Sequence, residues 1–491
     1  MAVKNLLAKP SLLLGLVVLL MGAGVVAGVG NNTDRGEAIT ASAIAEGEAG
    51  WIPFIKGSSP EKPKVTVVYC DASLIRLKVK VFGMWFGEVK HKGQVFTRIA
   101  LPGYGSSDEI GKADIPVIRE MLQIPYGAEA SVHVVRVSEA EFPLELLGIH
   151  NRIEPDQPSH PISGPKPGFV LDKSFYHADD FYPDQIAKLG LVGTIRGCRF
   201  AQIQIAPIMH NPKAGTIKIY PELELEIRLS GSDMAGTHQM LTRYASRPFE
   251  ALFKSLFLNY GVFGKDVEPP PTPPGYLAIT PDAYAETLSR LVEWKKKKGF
   301  HVTVAKTSEI GSTRDEIKAY IDSAYNNWEI PPTYLLLVGD VDSIPTYPCS
   351  VLCTATDLHY VLITPDTLAA DIHRGRLPAQ DSTELGHMID KILAYERVLF
   401  DSLEWMNKFC LIKGPRYPGN GDDIPPRDSV VFLRCIADDM QCDTLETDGT
   451  GPATGADITD AINDGRSLVT YTDHGAIGKW NHPSYDQNAV R

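Results

Sequence analysis

A chain of 491 residues is too long for one ordinary core, and at roughly 150 residues per domain it divides into about three units. Hydrophobic residues make up 44% and charged residues 22%, an ordinary globular balance that excludes a disordered, collagen-like or multi-span membrane protein. A net charge of −12 and a pI near 5.6 offer no general attraction to phosphate backbones, which excludes nucleic acid as a partner.

The chain opens with Lys4 and Lys9, then an apolar run from Leu12 to Val29 that contains the small-residue step Val25-Val26-Ala27. This pattern predicts a signal peptide over residues 1–27, with an uncleaved anchor as the competing reading and a secreted or cell-surface location either way. Any membrane contact is made through that segment alone. Residues 28–63 read as a variable N-terminal segment. From 64 to 267 the pattern alternates, as in Val65-Thr-Val-Val-Tyr69, Leu77-Lys-Val-Lys-Val81, Val132-His-Val-Val-Arg-Val137 and Ile217-Lys-Ile-Tyr220. Period-two hydrophobicity with turn signals such as Asn211-Pro-Lys-Ala-Gly215 predicts an antiparallel all-β domain.

A Pro-rich linker at 268–275 separates this region from a different chemistry. Gly275-Tyr-Leu-Ala-Ile-Thr280 reads as a strand, and Tyr284, Leu288, Leu291 and Val292 mark a helix closed by Gly299. His301-Val-Thr-Val-Ala305 is a second strand. Thr313-Arg-Asp-Glu316 has the form of a capping box, and Thr333 to Gly339 is a nearly unbroken apolar strand. A helix carrying Leu385, Met388, Ile389 and Ile392 follows, then the strand Phe409-Cys-Leu-Ile412, a helix through Val431 and Cys435, and a strand running to His474. Cys442 falls in the connector before that last strand. The alternation predicts an α/β unit with a parallel sheet covered on both faces, divided as 276–404 and an incomplete 405–491. The run Lys295 to Lys298 sits in the last turn of the first helix, where cations complement the dipole on a solvated face.

Position singles out one of the 13 histidines. In open parallel sheets the ligand crevice lies beyond the strands' carboxyl ends, where Leu468 to Thr472 delivers His474. The N–H of Gly475 is placed to donate to a developing oxyanion. Asp473 projects to the opposite face if the strand persists and so does not orient His474. His482, the nearest other histidine, lacks helical ligand spacing, so a zinc hydrolase trails; Cys349 and Cys353 have no second close pair to complete a zinc site. No Gly-x-Ser-x-Gly elbow occurs, which removes the commonest strand-to-helix serine arrangement and keeps a thiolate nucleophile open.

Five ordered blocks carry a resemblance. They are Leu291-Val-Glu-Trp-Lys-Lys-Lys-Lys-Gly-Phe-His-Val-Thr-Val304, Pro332 to Asp340 with Ile344-Pro345, Asp371-Ile-His-Arg-Gly-Arg-Leu377, Asp390 to Glu396, and Gly465 to Gly475 with Trp480 beyond. Upstream, Asp179-Asp-Phe-Tyr-Pro183 and Asn211 to Tyr220 are similar to a β-rich propeptide. The chain resembles the precursors of gingipain-type cysteine peptidases. That resemblance implies a caspase-like α/β fold and hydrolysis of protein or peptide substrates by a His/Cys dyad, with no cofactor required and the chain's own propeptide as inhibitor. It makes His474 the catalytic histidine, Gly475 the oxyanion donor and Trp480 a substrate-pocket residue, and it leaves metal ligation unassigned.

The resemblance also admits calcium, with Asp357 and Asp371 among the loop carboxylates that would supply hard oxygen donors. Arg243, Arg247 and Lys265 are the basic residues at which the propeptide would be cut. Two departures stand out. Relatives have Thr-Gly-His-Gly where this chain has Thr472-Asp-His-Gly475, and the nucleophilic cysteine, expected a strand later, is not present in the chain. None of the seven cysteines fits that role. The expectation is a fragment of a longer reading frame that is inactive by itself; the rival is a non-catalytic secreted surface or binding protein on the same fold.

Overall fold

The computed structural model describes residues 50–158, 167–264, 273–348, 355–365, 369–397, 403–414, 439–447, 452–473, 475–476, 478–486 and 488–489. The segment expected to be a signal peptide, the helix expected through Val431 and Cys435, and residues His474, Lys265, Cys349, Cys353 and Cys435 lie outside them. Among the described residues no helix is long and apolar enough to cross a membrane.

The N-terminal region is built from antiparallel sheets. In the largest, the strand Thr216–Ser230 pairs with Glu129–Pro143 along one side and with Ile208–Asn211 and Leu74–Lys80 along the other; Lys64–Cys70 forms the far edge. Alternation fixes the register: Leu223 faces Val79, Leu225 faces Leu77 and Ile227 faces Ile75, and all six are buried. Slipping by one residue would turn both rows of side chains into water. A second sheet joins Gly50–Pro53, Gly83–His91 and Gln94–Ala100, so pairing begins inside the stretch expected to be variable. A third joins Ile118–Gln123, Cys198–Ile205 and Ala187–Ile195.

One polar cluster is deeply enclosed here. Glu154, 4% exposed, accepts two hydrogen bonds from Arg98 at 2.6 and 2.9 Å and lies 2.6 Å from His91 Nε2. Burial alone would raise its carboxyl, but the His91 and Arg98 hydrogen bonds and charges win and hold it at about 2.

The alternating pattern gave no hint of two helices that end this region, Met234–Arg243 and Arg247–Leu256. The first is capped by Asp233, whose carboxylate accepts from Gly236 N at 2.8 Å.

The parallel sheet expected after the linker is present, in the order His301–Lys306, Gly275–Thr280, Pro332–Val338, His373–Leu377. Leu277, Ile279, Leu335 and Leu337 pack on Ile317, Ile321 and Ala324 of the helix Arg314–Asn327. On the other face Ala278, Leu336 and Val338 meet Leu288 and Leu291 of Ala285–Lys297, and Leu385 and Ile389 of Ser382–Arg397. Burial on both faces is why this strand reads as a continuous apolar run. The capping box forms as spaced: Thr313 Oγ1 accepts from Glu316 N at 3.3 Å, and the Glu316 carboxylate accepts from Thr313 N at 3.0 Å. Thr313→Ala is expected to cost about 1 kcal/mol in urea unfolding.

Part of the lysine run is not solvated. Lys295, with 13% of its side chain exposed, and Lys298 bond the Glu396 carboxylate at 2.6 and 2.9 Å, and Trp294 Nε1 donates to it at 2.8 Å. The run clamps one helix to the next.

A second, three-stranded parallel sheet runs Gln441–Glu446, Lys408–Lys413, Leu468–Thr472, with Ile458 and Ala461 of the helix Gly455–Asn463 in its core. Cys442 therefore lies in a strand and not in a connector, a correction; its segment is too polar to read as one.

Candidate active site

The strand Leu468–Thr472 runs beside Lys408–Lys413, with Tyr471 opposite Ile412 and Thr472 opposite Lys413. Both chains end together, and Asp473 then turns against Gly414, where a side chain on the glycine would overlap the carboxylate. Only 1% of the Asp473 side chain is exposed, and its Oδ2 accepts from His482 Nδ1 at 2.8 Å. The imidazole that Asp473 holds is that of His482, a contact the local sequence pattern does not predict.

Gly475–Ala476 pairs with Lys479–Trp480, which pairs with Tyr485–Asp486. Gly478 makes the tight turn at φ 82. This small hairpin is fastened back onto the strand. Trp480 stacks on Tyr471, with centroids 4.4 Å apart and planes within 8°, and lies 5.5 Å from Tyr485. The Tyr471 hydroxyl accepts from the N–H groups of Asn481 and His482 at 3.0 and 3.3 Å. Of the three residues expected in the site, Gly475 is exposed at the strand's carboxyl end, Trp480 is half-buried between two tyrosines, and His474 lies outside the described residues. His482→Ala leaves the enclosed Asp473 carboxylate without this donor; since His482 is half exposed, the expected loss is about 1–2 kcal/mol in thermal unfolding.

Two of the described thiols, Cys198 and Cys410, are unsuited to act as a nucleophile. Burial pushes Cys198 well above the usual thiol range and, with the Asp443 charge as a smaller contribution, Cys410 to about 11, so both stay protonated and inert.

Asp357 and Asp371, expected as calcium donors, are both committed elsewhere. Asp357 is held by Arg376 in two 2.8 Å bonds, while Arg376 also donates to the Gly339 and Ile344 carbonyls at 2.7 and 2.9 Å. Asp371, fully enclosed, accepts from the N–H groups of Arg196, Ile363 and Thr364 at 2.6, 3.0 and 2.8 Å. Among the described residues no group of three or more His, Cys, Asp or Glu could hold a metal ion. Arg243, expected as a cleavage candidate, ends a helix and donates to the Asn326 and Trp328 carbonyls at 2.5 and 3.3 Å. Arg247 is exposed but begins the next helix, a conformation that presents no extended strand to a protease.

The family model described as "Peptidase family C25" matches residues 269–491, and the one described as "Propeptide_C25" matches residues 57–260. Lys-gingipain W83 of Porphyromonas gingivalis is 28% identical over 403 residues, covering 81% of this chain and 23% of the relative. Gingipain R2 of the same species is 24% identical over 462 residues, covering 92% and 60%. A solved structure described as a complex of Porphyromonas gingivalis RgpB pro- and mature domains has 21% identity and a TM-score of 0.34, covering 41% of this chain and all of that one. The chain belongs to peptidase family C25, the gingipain-type cysteine peptidases with their propeptide. It spans between 23% and 60% of the length of these curated relatives.

Proposed function

We propose that the chain is the latent part of an exported cysteine endopeptidase, whose nucleophilic cysteine is supplied by sequence beyond Arg491. In this reading His474 protonates the departing amine, the Gly475 N–H binds the oxyanion, and the residues of the N-terminal region hold the enzyme inactive. Trp480 flanks the substrate pocket. No cofactor takes part in the chemistry; calcium would be structural, on carboxylates other than Asp357 and Asp371. Activation would cut the stretch between Gly264 and Pro273, which contains the basic residue Lys265.

The observation that carries the reading is the peptidase-family match across residues 269–491 together with Gly475 at the carboxyl end of a parallel strand. Asp473 favours a second reading, a non-catalytic surface or binding protein, since a buried carboxylate stands where relatives have glycine. Sequencing the gene beyond the codon for Arg491, then assaying the 491-residue chain and the extended chain, tests both. Thiol-dependent peptide hydrolysis by the extended chain alone is expected; hydrolysis by the 491-residue chain, or a stop codon directly after Arg491, removes the proposal.

A further inference from the structure

We propose that the amino edge of the four-stranded sheet is a guanidinium socket for Arg196, and that this socket holds the propeptide in place after the connecting chain is cut. Arg196 sits at the tip of a hairpin, in the two-residue turn Arg196-Gly197 that joins Ala187–Ile195 to Cys198–Ile205. Both turn residues have positive φ, 42 and 72, as such a turn requires. A hairpin tip is ordinarily a wet place for arginine, yet Arg196 is 3% exposed.

Its bonds cross to the peptidase half. The Arg196 N–H donates to Asp371 Oδ1 at 2.6 Å; Nη1 donates to the Pro332 and Asp371 carbonyls at 2.9 and 3.0 Å; Nη2 donates to Thr333 Oγ1 at 3.0 Å. Nε turns back to the Tyr244 carbonyl at 3.2 Å. The guanidinium lies 4.9 Å from the Phe249 ring centre and 5.8 Å from that of Tyr325, so ring faces close what hydrogen bonds leave open. The Asp371 carboxylate holds the Arg196 backbone N–H rather than the guanidinium, and lies near enough for its charge to favour the cation. A charge enclosed in this way is tolerated only while its partners stay in place.

The surroundings are complementary. Tyr244 stacks on Tyr325 with centroids 4.6 Å apart and planes within 13°, and Phe249 stacks on His373 at 4.1 Å. Gly197 is the residue that lets the tip fit, since a side chain there would come within 2.7 Å of the Tyr244 ring and 3.0 Å of the Met240 carbonyl. Pro332, Thr333 and Asp371 lie at the amino ends of their strands or just ahead of them, whereas Gly475 follows the carboxyl end of another. Cutting the chain between Gly264 and Pro273 breaks none of the bonds to Arg196.

The readout is association, so it is indifferent to whether any form of the chain hydrolyses peptides. A protease recognition sequence is placed between Gly264 and Pro273 of the full chain, the chain is cut, and the two halves are followed by size-exclusion chromatography on dilution. The wild-type halves are expected to co-elute. Arg196→Met should weaken their association on the order of 100-fold, as loss of a buried, hydrogen-bonded charge does. Thr333→Val, on the peptidase side, leaves the hairpin and its fold intact and should weaken it about tenfold. If Arg196→Met fails to fold, Thr333→Val decides. Wild-type halves that separate on cutting, or a folded variant whose dissociation constant stays within about threefold of wild type, overturn the proposal.

Discussion

Alanine in place of His474, in a chain extended past Arg491 and freed of its propeptide, is expected to lower kcat for a peptide amide by about 10,000-fold. An amine leaves poorly unless it is protonated as the bond breaks, and the imidazole is the group proposed to do this. An activated ester has a leaving group that needs no proton, so its kcat should fall less. Comparing the two substrates separates loss of the acid from general damage to the site. A variant whose amide kcat stays within about tenfold of the parent would remove His474 from the mechanism.

Glu154→Gln is the second large effect. Glu154 is enclosed and held by Arg98 and His91, so removing its charge leaves both donors facing a neutral amide in a dry place. The expected loss is about 3–5 kcal/mol, read as faster native-state hydrogen exchange at the amides of Gln94–Ala100. The parent should also be acid-sensitive in a defined window. Its carboxyl sits near 4.5 when unperturbed and at about 2 in the folded protein, so the unfolded chain binds the proton more readily. The contribution, roughly 3 kcal/mol, is complete above pH 4.5 and lost as the pH falls through about 2. In Glu154→Gln that segment of the pH profile should be flat. A sloping profile in the variant would assign the acid sensitivity to other groups.

The elements most readable from the sequence were those whose faces differ in water exposure. Ile75, Leu77 and Val79 alternate because one face of their strand is buried, and Leu335 to Val338 run unbroken because both faces are. Elements without such contrast escaped notice. The strand His373–Leu377 carries His373, Arg374 and Arg376, the last satisfied by Asp357 and the Gly339 carbonyl, so it has no apolar signature. The helices Met234–Arg243 and Arg247–Leu256 follow a long β region and pack partly on the peptidase half, a contact that local periodicity does not encode. Asp473 was visible as a departure from its relatives, but its partner His482 depends on a hairpin folding back across Tyr471.

By itself, then, the sequence determined the order of the units, the two kinds of sheet, the capping box at Thr313, and the strand Leu468–Thr472 ahead of Gly475. These rest on local patterns: apolar periodicity, turn residues and side chains three positions apart. The tertiary structure alone decided that Arg196 is buried, that Asp357 and Asp371 are already occupied, and that Arg243 is bound into an interface. Arg196 meets Pro332, Thr333 and Asp371 across separations of 136, 137 and 175 residues. The partners that make a buried charge tolerable are brought together only when both halves of the chain have folded against each other.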